Sequence, residues 1–199
     1  MICVIDTGIS NIYSISNALK YIGKHHEISN DKDKIKNSEL IILPGVGSFG
    51  YGVESLKKLK IFQILKNLNK DQKIIGICLG MQLLFEKSEE SKNISGLGII
   101  NGDVLKLPKI KKNSLIPNIG WRKTFFNETD LKFNKYNEIE LYHLHSYYCN
   151  PDDKSIILSY TIFDDLKIPN FIKYKNVIGI QFHPEKSRKQ GIEFLRDCI

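Results

Sequence analysis

Three short runs of aliphatic and β-branched residues in the first half of the chain, 2–5, 39–43 and 73–77, are each followed by a helical pattern. Ile12, Ile15, Leu19 and Ile22 recur at spacings of three and four, which predicts a helix over about 11–22. Further helices are expected over about 53–68 and 80–87. Buried strands alternating with helices at this period require parallel pairing with right-handed crossovers. The second half differs. Between 96 and 182, short aromatic and β-branched runs (140–149, 155–163, 171–174 and 177–182) alternate with Asn, Pro, Asp and Gly, which reads as antiparallel strands. A closing helix is expected over about 189–197. The fold class expected is α/β, a central, mostly parallel sheet with added antiparallel strands, in one domain spanning 1–199.

Composition narrows the function classes. With 42% hydrophobic and 26% charged residues in 199, the chain is neither disordered nor collagen-like nor a coiled coil. No apolar run approaches the roughly 20 residues of a spanning helix, and residues 1–5 meet Asp6 too soon for the apolar core of a signal peptide. A cytoplasmic location is expected. The net charge of +7 comes from 29 basic and 22 acidic residues, and Arg122, Arg188 and Arg196 are the only arginines. Nucleic-acid readers exploit arginine for bidentate and stacked contacts. Scattered lysines, such as Lys106, Lys109, Lys111 and Lys112, read instead as a solvated surface, with docking to an acidic protein partner left open. Cys3, Cys78, Cys149 and Cys198 show no CxxC spacing, as in a reducing compartment, and Cys3 reads as packed core.

Cys78 has a chemical context. It lies in Gly76-Ile77-Cys78-Leu79-Gly80, after an apolar strand and before a helical stretch, as a nucleophile elbow requires. A turn that tight leaves no room for a Cβ two residues before or after the nucleophile. Backbone N–H groups at the helix start favour a thiolate, and Leu79 N–H is suitably placed to donate to an oxyanion. The same pattern also describes a small buried hydrophobe in a glycine-flanked turn.

A cysteine nucleophile needs a base and the base an orienting group. His25 and His26 read as surface residues of a helix-to-strand connection. His143 and His145 share a strand face; without a third ligand they read as a packed or hydrogen-bonded pair rather than a metal site. His183 ends an apolar run and precedes Pro184-Glu185. Proline keeps this segment extended, so His183 and Glu185 are expected to point to one side in a Cys–His–Glu arrangement. A structural His and a surface Glu also fit this segment. Gly45-Val46-Gly47-Ser48-Phe49-Gly50 matches G-x-G-x-x-G, but a dinucleotide site also needs an acid at the end of the next strand, where Cys78 stands. Glycine-rich backbone beside a cysteine elbow suits an oxyanion better.

Together, Gly76 to Gln82 and His183-Pro184-Glu185 resemble the class I (triad) glutamine amidotransferases. Gly96-Leu97-Gly98, Ile119-Gly120-Trp121, His145-Ser146-Tyr147-Tyr148 and Gln181 to Ser187 extend the likeness to the glutaminase subunits of imidazole glycerol phosphate synthases. The resemblance implies a flavodoxin-like fold, no cofactor, and a thioester on Cys78, with His183 as proton carrier held by Glu185. It implies that Gly47 and Leu79 serve the oxyanion and glutamine, and that Gln82, Ser146 and Tyr147 hold the glutamine amino-acid moiety. It further implies that ammonia passes to a (β/α)-barrel cyclase partner, with Asn11, Trp121, Tyr142 and Lys186 at that contact. Only 186–199 follow the triad, and no P-loop or other acceptor-activating module is present, so the acceptor site is expected on another chain.

Two segments depart from the family pattern. Asp6-Thr7-Gly8-Ile9-Ser10-Asn11 stands where the family reads Asp-Tyr-Gly-x-Gly-Asn. Pro117-Asn118-Ile119-Gly120-Trp121-Arg122 stands for Pro-His-Met-Gly-Trp-Asn. Both fall on the side expected to face the synthase, which places Asn118 and Arg122 among the interface candidates and leaves the acceptor more open than the hydrolysis. The alternatives are a paralogous glutaminase feeding amidation of a surface sugar and, outside enzymes, a nucleotide- or partner-binding α/β module.

Overall fold

The computed structural model describes residues 1–8, 11–110, 115–127 and 131–199; Ile9, Ser10, Lys111 and Lys112, singled out above, lie outside the described residues. The chain begins β1 (Ile2–Ile5), α1 (Ile12–Tyr21), β2 (His26–Ser29), α2 (Lys32–Lys36), β3 (Leu40–Gly45), α3 (Phe49–Lys58) and α4 (Phe62–Lys66). β4 (Lys73–Cys78), α5 (Leu79–Leu83), β5 (Phe85–Ser88), β6 (Ile100–Lys106), β7 (Asn118–Phe126) and β8 (Glu140–His145) follow. It closes with β9 (Tyr147–Pro151), β10 (Ile157–Phe163), β11 (Leu166–Tyr174), β12 (Val177–Ile180) and α6 (Arg188–Cys198). Among the described residues no helix is long and apolar enough to cross a membrane.

A nine-stranded sheet has the order β2-β1-β3-β4-β12-β11-β10-β7-β8. Its first five strands are parallel neighbours and the remaining pairings are antiparallel. A smaller sheet, β5-β6-β9, packs beside it. Side chains of a strand alternate between faces, and the two cores follow that period. Cys3, Ile5, Ile41, Leu43 and Ile74 pack against α2, α3, α4 and α5. Ile2, Val4, Leu40, Ile42 and Ile75 pack against α1 and α6 on the opposite face. Strands buried on both faces explain the unbroken apolar runs of the first half.

Several boundaries differ from the sequence reading. The helix expected over 53–68 is two, because Lys60 takes a left-handed φ of 57° and ends the first. The helix expected over 80–87 stops at Leu83, since Leu97 N–H bonds to the Leu83 carbonyl and Ile99 and Ile100 N–H to that of Leu84. The freed chain becomes β5. The run 140–149 is two strands in different sheets, broken at Ser146. β12, read as antiparallel, is so only to β11; to β4 it is parallel. His26, read as a surface residue, begins β2 and its Nε2 lies 2.7 Å from Ser16 Oγ.

The His143–His145 pair is buried and internally bonded. His145 Nδ1 donates to the Tyr147 carbonyl at 2.9 Å, so Nε2 is the acceptor and takes a bond from His143 Nδ1 at 3.1 Å. Burial holds His145 down to about 4 despite the Tyr147 bond. His143 is also held well below 6.5, by burial first and then by the neighbouring histidines and Arg122.

This packing has two measurable consequences. Phe194 is fully buried, with ring centroids of Phe171 and Phe182 at 4.9 and 5.1 Å. Phe194→Ala is expected to lower the free energy of urea unfolding by about 3–5 kcal/mol. In the unfolded chain both histidines take up protons near pH 6.5, while folded His145 stays neutral to about 4. The unfolded state thus binds more protons across that window. The stability these two histidines contribute is full above pH 6.5 and falls as pH drops, by up to about 1.4 kcal/mol per pH unit per histidine. Urea titrations at stepped pH should give a shallower fall for His143→Gln than for the native chain.

Candidate active site

The nucleophile elbow is built by close backbone approach. A Cβ on Gly80 would stand 1.7 Å from the Leu43 carbonyl oxygen, and one on Gly76 would stand 2.6 Å from the Gly80 oxygen. Only glycine lets α5 start this near the ends of β3 and β4. Between them Cys78 is forced to φ 55° and ψ −109°, a conformation that costs a non-glycine residue of order 1–3 kcal/mol and persists where the surroundings over-determine it. The result lifts the cysteine out of the strand at the carboxyl end of the sheet.

The parallel pairing of β4 with β12 brings the base alongside. Ile77 lies opposite Ile180, so the chain leaving β12 passes the elbow within three residues. The backbone after His183 turns into a 3-10 segment, Pro184–Lys186, rather than staying extended. The turn still delivers Glu185 to the ring: His183 Nδ1 donates to Glu185 Oε1 at 2.9 Å, and both side chains are buried. His183 Nε2 is buried and makes no hydrogen bond among the described residues. Burial alone would weaken the imidazole's hold on a proton. Cys78 and Glu185, the two groups facing the ring, outweigh it and push His183 up to about 10.

Cys78 opens onto a cavity of about 220 Å³ lined by Val46, Gly47, Leu79, Gln82, Ser146 and Tyr147, among others. The five residues read as serving glutamine or the oxyanion therefore share one cavity with the candidate nucleophile. Gly47 has φ +102°, which a side chain would strain. Leu79 N–H, at the first position of α5, has no intrahelical acceptor. Gln82 Nε2 donates to the Tyr147 carbonyl at 3.1 Å. The dinucleotide reading of Gly45–Gly50 fails on the same geometry: Phe49 N–H donates to Glu90 Oε2 (2.6 Å) and Gly50 N–H to Ser91 Oγ (3.1 Å), so the donors a phosphate would need are taken.

The residues read as facing a partner fall into three settings. Trp121, Tyr142 and Lys186 are half-buried around the base. The Tyr142 carbonyl accepts His183 N–H at 2.8 Å, Trp121 packs edge-on to Tyr142 at 5.9 Å, and Arg188 lies over the Trp121 ring at 4.4 Å. Asn11 is exposed at the start of α1, with no side-chain capping bond. Asn118 is instead fully buried, and presents nothing to solvent. It accepts from Arg122 Nε at 2.9 Å and its Nδ2 lies 3.2 Å from His145 Nε2, tying the half-buried Arg122 to the histidine pair.

Two further residues of this region escaped sequence reasoning. Glu90 lines the cavity, and Gln181 Nε2 lies 3.8 Å from Cys78 Sγ. Glu90 has no local pattern that marks it. Gln181 stands two residues before His183, so the alternation of an extended chain could have placed it on the same side. Among the described residues no group of three or more His, Cys, Asp or Glu could hold a metal ion.

Comparison with known proteins agrees with this geometry. The family model for class-I glutamine amidotransferases matches residues 3–199. Imidazole glycerol phosphate synthase subunit HisH of Bacillus cereus (strain G9842) is 40% identical, over 99% of this chain and 93% of the relative. The HisH subunit of Pyrococcus furiosus is also 40% identical, over 98% and 96%. A crystal structure of a glutamine amidotransferase, only 14% identical, superimposes with a TM-score of 0.74 over 98% of both chains, which speaks to the fold alone. A cysteine elbow at the carboxyl end of a parallel sheet and near-complete matches of this kind have one reading: the chain belongs to the class-I glutamine amidotransferases and, within them, to the family of imidazole glycerol phosphate synthase subunit HisH.

Proposed function

We propose that this chain hydrolyses glutamine and passes the ammonia to a separate cyclase subunit of (β/α)-barrel fold, which uses it to make imidazole glycerol phosphate in histidine biosynthesis. The observation that carries the reading is the single cavity in which Cys78, backed by His183 and Glu185, meets Gly47, Leu79, Gln82, Ser146 and Tyr147. Cys78 thiolate attacks the side-chain amide carbon of glutamine, and the oxyanion forms beside the N–H groups of Leu79 and the Gly47 loop. His183 gives its proton to the departing nitrogen, and ammonia leaves as the C–N bond breaks. The thioester is then attacked by water, whose proton His183 accepts; the C–S bond breaks and glutamate and thiolate are regenerated. Glu185 holds the ring in the tautomer that presents Nε2 to these transfers.

The pocket chemistry supports glutamine as the substrate. Glu90 is an acid lining the same cavity as the elbow, and it suits the α-ammonium of an amino acid. Ser146 and Tyr147, at the break between β8 and β9, suit its carboxylate. We place Asn11, Trp121, Arg122, Tyr142 and Lys186 at the synthase contact, with Asn118 acting through Arg122. Trp121, Tyr142 and Lys186 lie around His183, which supports a contact beside the chemistry, with a short path for ammonia and activation by the partner.

Diazo-oxo-norleucine, a glutamine-like electrophile, is expected to label Cys78 alone, and mass spectrometry of Cys78→Ala should find no label. A native chain left unlabelled in the presence of its partner contradicts the hydrolytic reading. Glutaminase turnover is expected to be low for the isolated chain and to rise when the cyclase subunit captured from the same cells is added. A kcat that stays constant contradicts activation, and a partner that yields no imidazole glycerol phosphate from glutamine overturns the acceptor while leaving hydrolysis intact.

A further inference from the structure

The register that aligns the triad also aligns a second side chain with the sulfur. With Ile77 opposite Ile180, the next residue on each chain sets Cys78 beside Gln181. Gln181 is fully buried, and its backbone N–H is anchored to the Asn170 carbonyl at 2.9 Å. Its side-chain Nε2 lies 3.8 Å from Cys78 Sγ. The neighbours dictate which end of this amide meets the sulfur. The Tyr147 carbonyl oxygen can only accept, so the atom of Gln82 that reaches it at 3.1 Å is the amide nitrogen. The same nitrogen lies 3.3 Å from Gln181, whose contacting atom is therefore the oxygen. What remains for the sulfur is a donor.

A fixed N–H donor discriminates between the two forms of a thiol. The anion accepts it, whereas the neutral thiol has its own hydrogen directed at the Leu144 carbonyl, 3.7 Å away. We propose that Gln181 is a positioning residue whose amide donates to Cys78 Sγ, holds the thiolate in the attacking rotamer and favours the anion over the thiol. The inference rests on Cys78 being the nucleophile. Other ionisable groups also face this sulfur or its cavity: His183 with Glu185 from the 3-10 turn, His145 from β8, Glu90 from the turn after β5 and Cys149 from β9. All of them are retained when Gln181 alone is changed, so a change in the pH profile reports on the amide.

The test follows iodoacetamide alkylation of Cys78 by mass spectrometry across pH, on the full chain with and without its partner subunit. Gln181→Met is close in volume and has no donor; Gln181→Asn keeps an amide but withdraws it by one methylene. Both are expected to raise the pH of half-maximal alkylation by about one unit, a roughly tenfold slower reaction below that pH, and to lower kcat more than they change KM. Gln82→Met, which frees the Gln181 amide to rotate, should shift the profile in the same direction. A folded variant whose profile superimposes on the native one overturns the proposal even if turnover falls, because the loss would then lie outside the thiolate's stabilisation. Should Gln181→Met fail to fold, Gln181→Asn and Gln82→Met decide the matter by the same criterion. Failure of diazo-oxo-norleucine to label native Cys78 would instead defeat the glutaminase reading, and so the two outcomes are distinguishable.

Discussion

The carbonyl of Leu43 and the Cα of Gly80 approach so closely that a single methyl group between them would overlap the oxygen, at 1.7 Å. Much of the rest depends on that approach. It sets α5 directly on the ends of β3 and β4 and forces Cys78 into a left-handed conformation. It also leaves the first N–H groups of the helix facing the same opening as the sulfur. Backbone strain of this kind is tolerated because Ile75, Ile77, Leu79 and Met81 are buried on either side of it. The elbow is held by packing on two faces of the sheet, so the reactive residue has little freedom to relax.

The second constraint is topological. Cys78 and His183 lie far apart in sequence, and only the parallel insertion of β12 next to β4 makes them neighbours. Having crossed over from the antiparallel half, the chain leaves β12 at the carboxyl end of the sheet, where ligands of open α/β sheets bind. The turn at Pro184–Lys186 then closes the His183–Glu185 bond over two residues. Sheet register thus supplies the long-range half of the geometry and local turn chemistry the short-range half.

These two halves were unequally legible. The elbow could be read from residues because its requirement is steric and local: backbones this close demand glycine at 76 and 80. The strand–helix alternation of the first half was legible for a related reason, since strands buried on both faces leave unbroken apolar runs. Helix ends were not. The breaks at Lys60 and after Leu83 are set by a left-handed lysine and by carbonyls captured from the segment 96–100, and neither leaves a periodic trace. The split at Ser146 was invisible because both halves carry the same aromatic, β-rich composition. The Pro-fixed segment pointed to His183 and Glu185 as partners, but a 3-10 turn, not an extended chain, is what joins them. Glu90 reaches the site only through tertiary pairing, and its neighbours in sequence carry no sign of it; for Gln181 the alternation that leads to His183 was a sign that went unread. The fate of Asn118 is similar: its buried bond to His145 comes from the β7–β8 pairing, and its bond to Arg122 lies within β7.

The break at Ser146 has a mechanical consequence. Cys78, His183 and Glu185 hang from two adjacent strands of the large sheet, whereas Tyr147 begins a strand of the small one and Glu90 lies just beyond β5, an edge strand of that small sheet. The cavity at Cys78 is therefore lined from both sheets, not from one. Glu90 ties the two together, since its carboxylate accepts the N–H of Phe49, at the start of α3, at 2.6 Å. Part of the pocket wall and the His183–Glu185 pair are thus carried by different sheets, joined through one shared core.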